Sequence, residues 1–377
     1  MKKFIYEKGK KMKIKMKRLI TICAILGLIL AVSGVTQADV FGTGTNQFTI
    51  DFVPISGSTN PSSGISQGGG SFIFTGVNND YRMGTCEITN DQWDKFKNAY
   101  GTVTGNPLNA YDDAPIGALT WPTNNVSWYE MAQFVNWLNT STGHHAAYNF
   151  TGTQGTSNYT FALWSAAEAD NGTNLYRHKD AKYYVPTEDE WVKAAYWNAT
   201  SLTCQLYANA SPSDLISGVP DPTKWNYRDT PISPHQPWNV GSGRQELNGT
   251  FDMMGNLYEV TESQYNNTGG YSWTAYHGVR SASYAAWSYE LKSIIRTTLS
   301  PYDESSNIGF RVASDMNTVV INPADLTGDG MVNYLDLAIL VDQWLQPPGS
   351  PSADLNSDGI VNFVDFATFA ENWLGGI

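Results

Sequence analysis

The chain has 377 residues, of which 41% are hydrophobic and 15% charged. That length suits one large domain or two to three smaller ones with a real core. With 34 Gly, 17 Pro, 13 Trp and 21 Tyr it reads as turn-rich and aromatic-rich, which excludes a helical bundle or a coiled coil. Nine of the 23 Lys/Arg and one of the 35 Asp/Glu precede Asp39, which leaves a net charge of −20 from there on. So acidic a surface repels phosphate backbones and anionic lipid, so nucleic acid is not an expected partner and calcium is a natural counter-charge.

The N-terminus comes first. Lys2 to Arg18 is basic, Leu19 to Val32 is apolar, and Thr36-Gln37-Ala38 is small at both positions a signal peptidase reads. This is the pattern of a secretory signal over residues 1–38. The apolar run is short of the roughly 20 residues that span a bilayer, so the expectation is cleavage near Ala38 and export, with no membrane span afterwards. Cys23 lies in the signal, and Cys86 and Cys204 remain. An oxidising compartment permits them to pair; the alternative is two separate small buried thiols.

Residues 39–314 form the expected main domain, followed by a linker over 315–324. Three capping boxes predict three helices: Thr89-Asn-Asp-Gln92, Ser127-Trp-Tyr-Glu130 and Thr187-Glu-Asp-Glu190. Apolar residues follow at helical spacing: Trp93, Phe96 and Tyr100, then Met131, Phe134, Val135 and Leu138, then Trp191, Ala194 and Ala195. Elsewhere short apolar runs are broken by Gly, Asn and Pro, which reads as α+β with long loops. Glu188-Asp189-Glu190 fall in a first helical turn, where the macrodipole favours negative charge, so their expected role is structural.

Other chemistry is thinly signalled. His178-Lys-Asp180 with His277 or His235 has the form of a 2-His-1-carboxylate iron site, but so short a pattern carries little weight. His144-His145 are adjacent and point apart, as loop residues do. Trp238, Trp273, Tyr276, Tyr284, Trp287 and Tyr289 are either sugar-stacking surfaces or core filling. No Gly-x-Ser-x-Gly, P-loop, dinucleotide or CxxC pattern occurs.

Residues 325–377 hold an internal repeat. Asp325-Leu-Thr-Gly-Asp-Gly-Met-Val-Asn-Tyr-Leu-Asp336 returns 29 residues later as Asp354-Leu-Asn-Ser-Asp-Gly-Ile-Val-Asn-Phe-Val-Asp365. Oxygen donors stand at positions 1, 3, 5, 9 and 12: Asp325, Thr327, Asp329, Asn333 and Asp336, then Asp354, Asn356, Asp358, Asn362 and Asp365. Gly330 and Gly359 allow the sharp turn, and Met331 and Ile360 need offer only a carbonyl. A hard cation wants six to eight oxygens, so each loop is expected to hold one calcium. Helices are expected over Leu337 to Leu345 and Phe366 to Leu374.

This repeat resembles a type I dockerin, the module that docks onto cohesin receptors in extracellular polysaccharide-degrading assemblies. At loop positions 10 and 11, where dockerins carry small hydroxyl residues for recognition, stand Tyr334-Leu335 and Phe363-Val364. The resemblance implies calcium binding and an extracellular protein partner. The apolar pairs point to an altered partner or to packing against the main domain.

The main domain resembles the sulfatase-modifying-factor family, whose best-known member is the formylglycine-generating enzyme. The resemblance rests on Tyr81-Arg-Met-Gly-Thr-Cys-Glu-Ile-Thr-Asn90, Pro122-Thr-Asn-Asn-Val-Ser-Trp128, Val185-Pro-Thr-Glu-Asp-Glu-Trp191, Phe251-Asp-Met-Met-Gly-Asn-Leu-Tyr-Glu259 and Asn307-Ile-Gly-Phe-Arg311. It implies a C-type-lectin-like fold with a surface groove, in which Tyr258, Ser283, Tyr284, Trp287 and Arg296 would take a glycan or protein ligand. It also implies a structural calcium held by Asp252, the carbonyls of Gly255 and Leu257, and Glu259, with a second site at Asn226 and Tyr227. The family's two copper-binding cysteines correspond to Ala286 and Leu291. A soft monovalent copper needs soft ligands, so neither copper nor formylglycine synthesis is expected. The expectation is a secreted binding and tethering protein; the alternatives are a formylglycine-generating or other metal-dependent oxidase, and a structural cell-surface protein.

Overall fold

The computed structural model describes residues 37–67, 72–208, 215–228, 235–265 and 276–316, then 324, 326, 332, 334–349, 352–356 and 358–371. The expected signal, apart from Gln37 and Ala38, lies outside these residues. So do Trp273 and the loop residues Asp325, Thr327, Asp329, Met331 and Asn333.

The strands of the two principal sheets and the main cleft are β1 (Gln37–Phe41), β2 (Phe48–Ile55), β3 (Tyr81–Gly84), β4 (Asn174–His178), β5 (Tyr183–Tyr184), β6 (Tyr258–Gln264), β7 (His277–Arg280), β8 (Thr297–Leu299), β9 (Ile308–Gly309) and β10 (Ala313–Asp315). The helices are α1 (Asn90–Tyr100), α2 (Trp128–Thr140), α3 (Glu188–Tyr196), α4 (Tyr334–Asp342) and α5 (Phe363–Glu371). The first sheet runs β1-β2-β3-β10-β5 and is antiparallel throughout. The second runs β8-β7-β6-β9, with β6 and β9 parallel.

β2 explains why there are two cores. Successive side chains of a strand point to opposite faces. Phe48, Ile50 and Phe52 join one apolar cluster with Trp93 and Phe96 of α1 and Phe134 and Leu138 of α2. Val53 and Ile55 point the other way, into a cluster with Tyr184, Trp191 and Met253. The first sheet is thus covered on both faces, and burying each such side chain contributes roughly 1.5–3 kcal/mol.

All three capping boxes form. Thr89 Oγ1 accepts the Gln92 N–H at 3.2 Å, and Gln92 Oε1 accepts that of Thr89 at 2.8 Å. Ser127 and Glu130 do the same at 3.2 and 2.8 Å, and Thr187 and Glu190 at 3.3 and 2.7 Å. Gly101 ends α1 with φ +91°, a conformation that costs other residues more.

α4 and α5 each begin three residues earlier than the apolar run predicts. They start at loop position 10, so the position-12 carboxylates Asp336 and Asp365 lie within the first helical turn. Both are fully buried. Asp365 there meets backbone N–H groups of Leu355, Asn356 and Asn362 from its own loop.

Candidate functional site

The second C-terminal loop is built around three carboxylates. Asp365 Oδ1 accepts the N–H groups of Leu355 and Asn356 at 2.7 and 3.2 Å, and Oδ2 accepts that of Asn362 at 2.8 Å. Asp354 takes the N–H groups of Asp358 and Gly359 at 3.1 and 2.8 Å. Gly359, at φ +91°, makes the turn. Carboxylate oxygens of Asp354, Asp358 and Asp365 lie within 4.8 Å of one another, and no other such His/Cys/Asp/Glu group occurs among the described residues.

Three like charges at that spacing repel unless a cation joins them. The donor set fits calcium: side-chain oxygens of Asp354, Asn356, Asp358, Asn362 and Asp365, with the Ile360 carbonyl. Asn356 and Asn362 place their carboxamides 3.0 and 3.3 Å from the Asp358 carboxylate. Beside the loop, Phe363 and Val364 are 75% and 55% exposed. Phe363 meets Trp344 edge-on, with ring centroids 4.9 Å apart.

The main-domain calcium expectation meets different geometry. Glu259 is wholly buried, and Arg311 donates to it through Nε and Nη2, each at 2.6 Å. Trp191 Nε1 adds a third bond at 2.8 Å. Arg311 thus supplies a counter-charge to Glu259 within the protein itself. Asp252 accepts the Gly241 N–H at 2.7 Å, and the Gly255 carbonyl accepts from Ser281 Oγ at 3.3 Å. Burial pushes the Asp252 carboxyl up to about 6. Leu257 is buried and donates its N–H to Glu87 at 3.1 Å. Asn226 Nδ2 is used by the Gln236 carbonyl and by Asn256 Oδ1, each at 3.0 Å, and Tyr227 donates its hydroxyl to the Leu215 carbonyl.

The residues expected to line the ligand groove have differing surroundings. The Arg296 guanidinium pairs with buried Glu188, which also holds Arg280 at 2.6 Å. Burial of Glu188 demands cationic partners, and Arg296 is one of them. Ser283 is buried, its Oγ accepting the Ala285 N–H at 3.2 Å. The Tyr258 hydroxyl is bound to Glu290, and Tyr284 is half-buried. Trp287 and Tyr289 stay exposed, with the Arg228 guanidinium 4.8 Å from the Trp287 ring.

The copper positions are apolar interior. Ala286 and Leu291 both belong to the second core cluster, Leu291 without any exposure. Neither can bind a soft ion. No disulfide joins Cys86 to Cys204, and burial pushes the Cys86 thiol up, away from the thiolate a metal needs.

The histidines are not brought together as iron ligands. His277 stacks on Trp128, with centroids 4.5 Å apart, while His178 stacks on His145 at 3.5 Å. His144 packs against Tyr183 instead, so the two adjacent histidines do point apart.

A feature invisible in the sequence lines a cleft of about 1000 Å³. Buried Arg177 donates to Glu190 at 3.0 Å and to Glu262 at 3.1 Å, and lies 3.4 Å over the Tyr184 ring. Glu188 and Glu190 are thus structural, as expected of a helix start. Buried guanidinium partners, and not the helix dipole alone, hold them. Asp189 in the same turn is pushed up to about 6 by burial.

Two solved structures share this architecture. Treponema denticola variable protein 1 is 18% identical over 75% of this chain and 99% of its own, with a TM-score of 0.50. CarF is 19% identical over 71% of this chain and 99% of its own, also at 0.50. Such likeness defines an α+β protein of C-type-lectin-like fold. Residues 75–316 match the sulfatase-modifying factor enzyme 1-like domain, and residues 323–373 match the dockerin type I domain. The chain belongs to the sulfatase-modifying factor family, with a dockerin domain following. No curated protein matches it. A dockerin domain implies an extracellular or cell-surface place and a calcium-binding tail. No helix among the described residues is long and apolar enough to cross a membrane.

Proposed function

We propose that the protein is a secreted, calcium-dependent tethering protein. Its sulfatase-modifying-factor domain binds a ligand, and its C-terminal repeat docks on an extracellular receptor of the cohesin kind. The observation that carries this is the pairing of a convergent carboxylate loop with the exposed Phe363-Val364 step beside it. Calcium would order the loop and so fix the helix that presents this pair. Apolar Ala286 and Leu291 support binding over copper oxidation in the main domain. The setting that fits such a pair of modules is polysaccharide degradation.

The test is capture of the full chain by immobilised cohesins of several types, with calcium and with EDTA. Expected is calcium-dependent retention that Phe363→Asp with Val364→Asp abolishes while the tail keeps its helical signal. Retention unaffected by both treatments would refute the docking reading.

A further inference from the structure

Below Trp121 lies a second, smaller pocket of about 310 Å³, separate from the Arg177 cleft and not lined by Ala286 or Leu291. Its walls combine Trp121, Tyr227 and Trp238 with the carboxamides of Gln236 and Asn239 and the imidazole of His235. His235 aside, none of the described residues lining it is ionisable near neutral pH. In a chain carrying −20 beyond its N-terminal segment, an uncharged pocket selects an uncharged ligand.

We propose that this pocket binds one ring of a neutral saccharide. The inference rests on reading the main domain as a binding surface, and it names the site and the ligand class. A sugar ring has a face of C–H groups and a rim of hydroxyls. Indole and phenol rings bury the C–H face without stranding a polar group. The rim hydroxyls need both donors and acceptors at hand, because an unmatched buried hydroxyl costs binding energy. A carboxamide offers both.

The pocket is prearranged in just those parts. Thr120 Oγ1 donates to Asn239 Oδ1 at 2.6 Å, which fixes that carboxamide and leaves its N–H₂ for a ligand. The Trp238 N–H is held by Asn256 Oδ1 at 2.8 Å, and Asn226 ties the Gln236 carbonyl to the same Asn256. Its volume is at the lower end of ligand sites, roughly 300–1,000 Å³, so it suits one ring and not an extended chain. The Arg177 cleft is the poorer candidate. It is strongly charged, with Glu190 and Glu262 already paired with Arg177, which also covers the Tyr184 ring.

The experiment titrates the full calcium-loaded chain with glucose, galactose, mannose, xylose and N-acetylglucosamine, and with their β-linked trisaccharides. Trigalacturonate serves as the charged comparator, and tryptophan emission and calorimetry are the readouts. Expected is saturable 1:1 binding of at least one neutral sugar, weakened at least tenfold by Trp121→Ala and by Gln236→Ala. Gln236 is exposed, so its variant keeps the test valid if Trp121→Ala fails to fold. Equal binding of a monosaccharide and its trisaccharide supports recognition of a single ring. No binding by any neutral sugar at millimolar concentration, or equal binding of trigalacturonate, overturns the inference. So does sugar binding that survives both variants but is lost in Trp287→Ala; in that case the binding reading stands and the pocket assignment falls.

Discussion

Glu259 and Arg311 form a two-pronged ion pair from which solvent is shut out on both sides. Both residues come from stretches that carry the family resemblance. Removing one partner leaves an uncompensated buried charge, which costs about 3–5 kcal/mol. Arg311→Met and Glu259→Gln should each destabilise the main domain by about that much in denaturant unfolding. The double variant should recover part of the loss, because it strands no charge. If calcium, and not Arg311, were the counter-charge, Arg311→Met would unfold no more easily than wild type in excess calcium.

The C-terminal repeat is too small to stand on its apolar core alone, so metal binding supplies much of its folding energy. Asp329→Ala combined with Asp358→Ala should unfold the tail and leave the main domain folded. Circular dichroism and limited proteolysis with and without EDTA read this out. A tail that keeps its helices in EDTA would contradict the prediction.

His277 should stay neutral well below the usual histidine range. Burial against Trp128 pushes its pKa down from 6.5 to about 4. Between those values the unfolded chain binds the proton and the folded chain does not. The contribution of neutral His277 is therefore complete above pH 6.5 and is lost as pH falls towards 4, a total of about 3 kcal/mol. Imidazole chemical shifts followed by NMR should show no titration at pH 5.5. A midpoint near 6.5 would show that the ring is not held neutral.

Incubation of the calcium-loaded chain with copper and a cysteine-containing sulfatase peptide should give no aldehyde, and metal analysis should find no stoichiometric copper. Ala286 and Leu291 offer no sulfur. One copper per chain, or turnover, would reverse this conclusion.

What could be read in the sequence was local. Capping boxes link residues three apart, and the calcium loop repeats at fixed positions within twelve residues, so both patterns sit in short windows. The buried ion pairs do not. Arg177 reaches Glu262 across 85 residues, and Arg280 and Arg296 reach Glu188 across 92 and 108. Nothing in one dimension says that an arginine near a groove segment will turn inward to neutralise a distant carboxylate. For the same reason neither the Arg296–Glu188 pair nor the Arg311–Glu259 pair is legible in the local motifs that contain them. The helix starts at Tyr334 and Phe363 fall outside the apolar runs, because hydrophobic periodicity registers only the buried positions and not the loop residues that open the first turn.

Leu291 also limits how this domain could be re-engineered. It is fully buried, so exchanging it alone for a smaller thiol residue opens a void and still leaves Ala286 without sulfur, one donor where two are required. Chemistry of the oxidase kind is therefore not one substitution away. A designer would have to install both thiols together and refill the surrounding apolar cluster, to which Ala286 and Leu291 both belong.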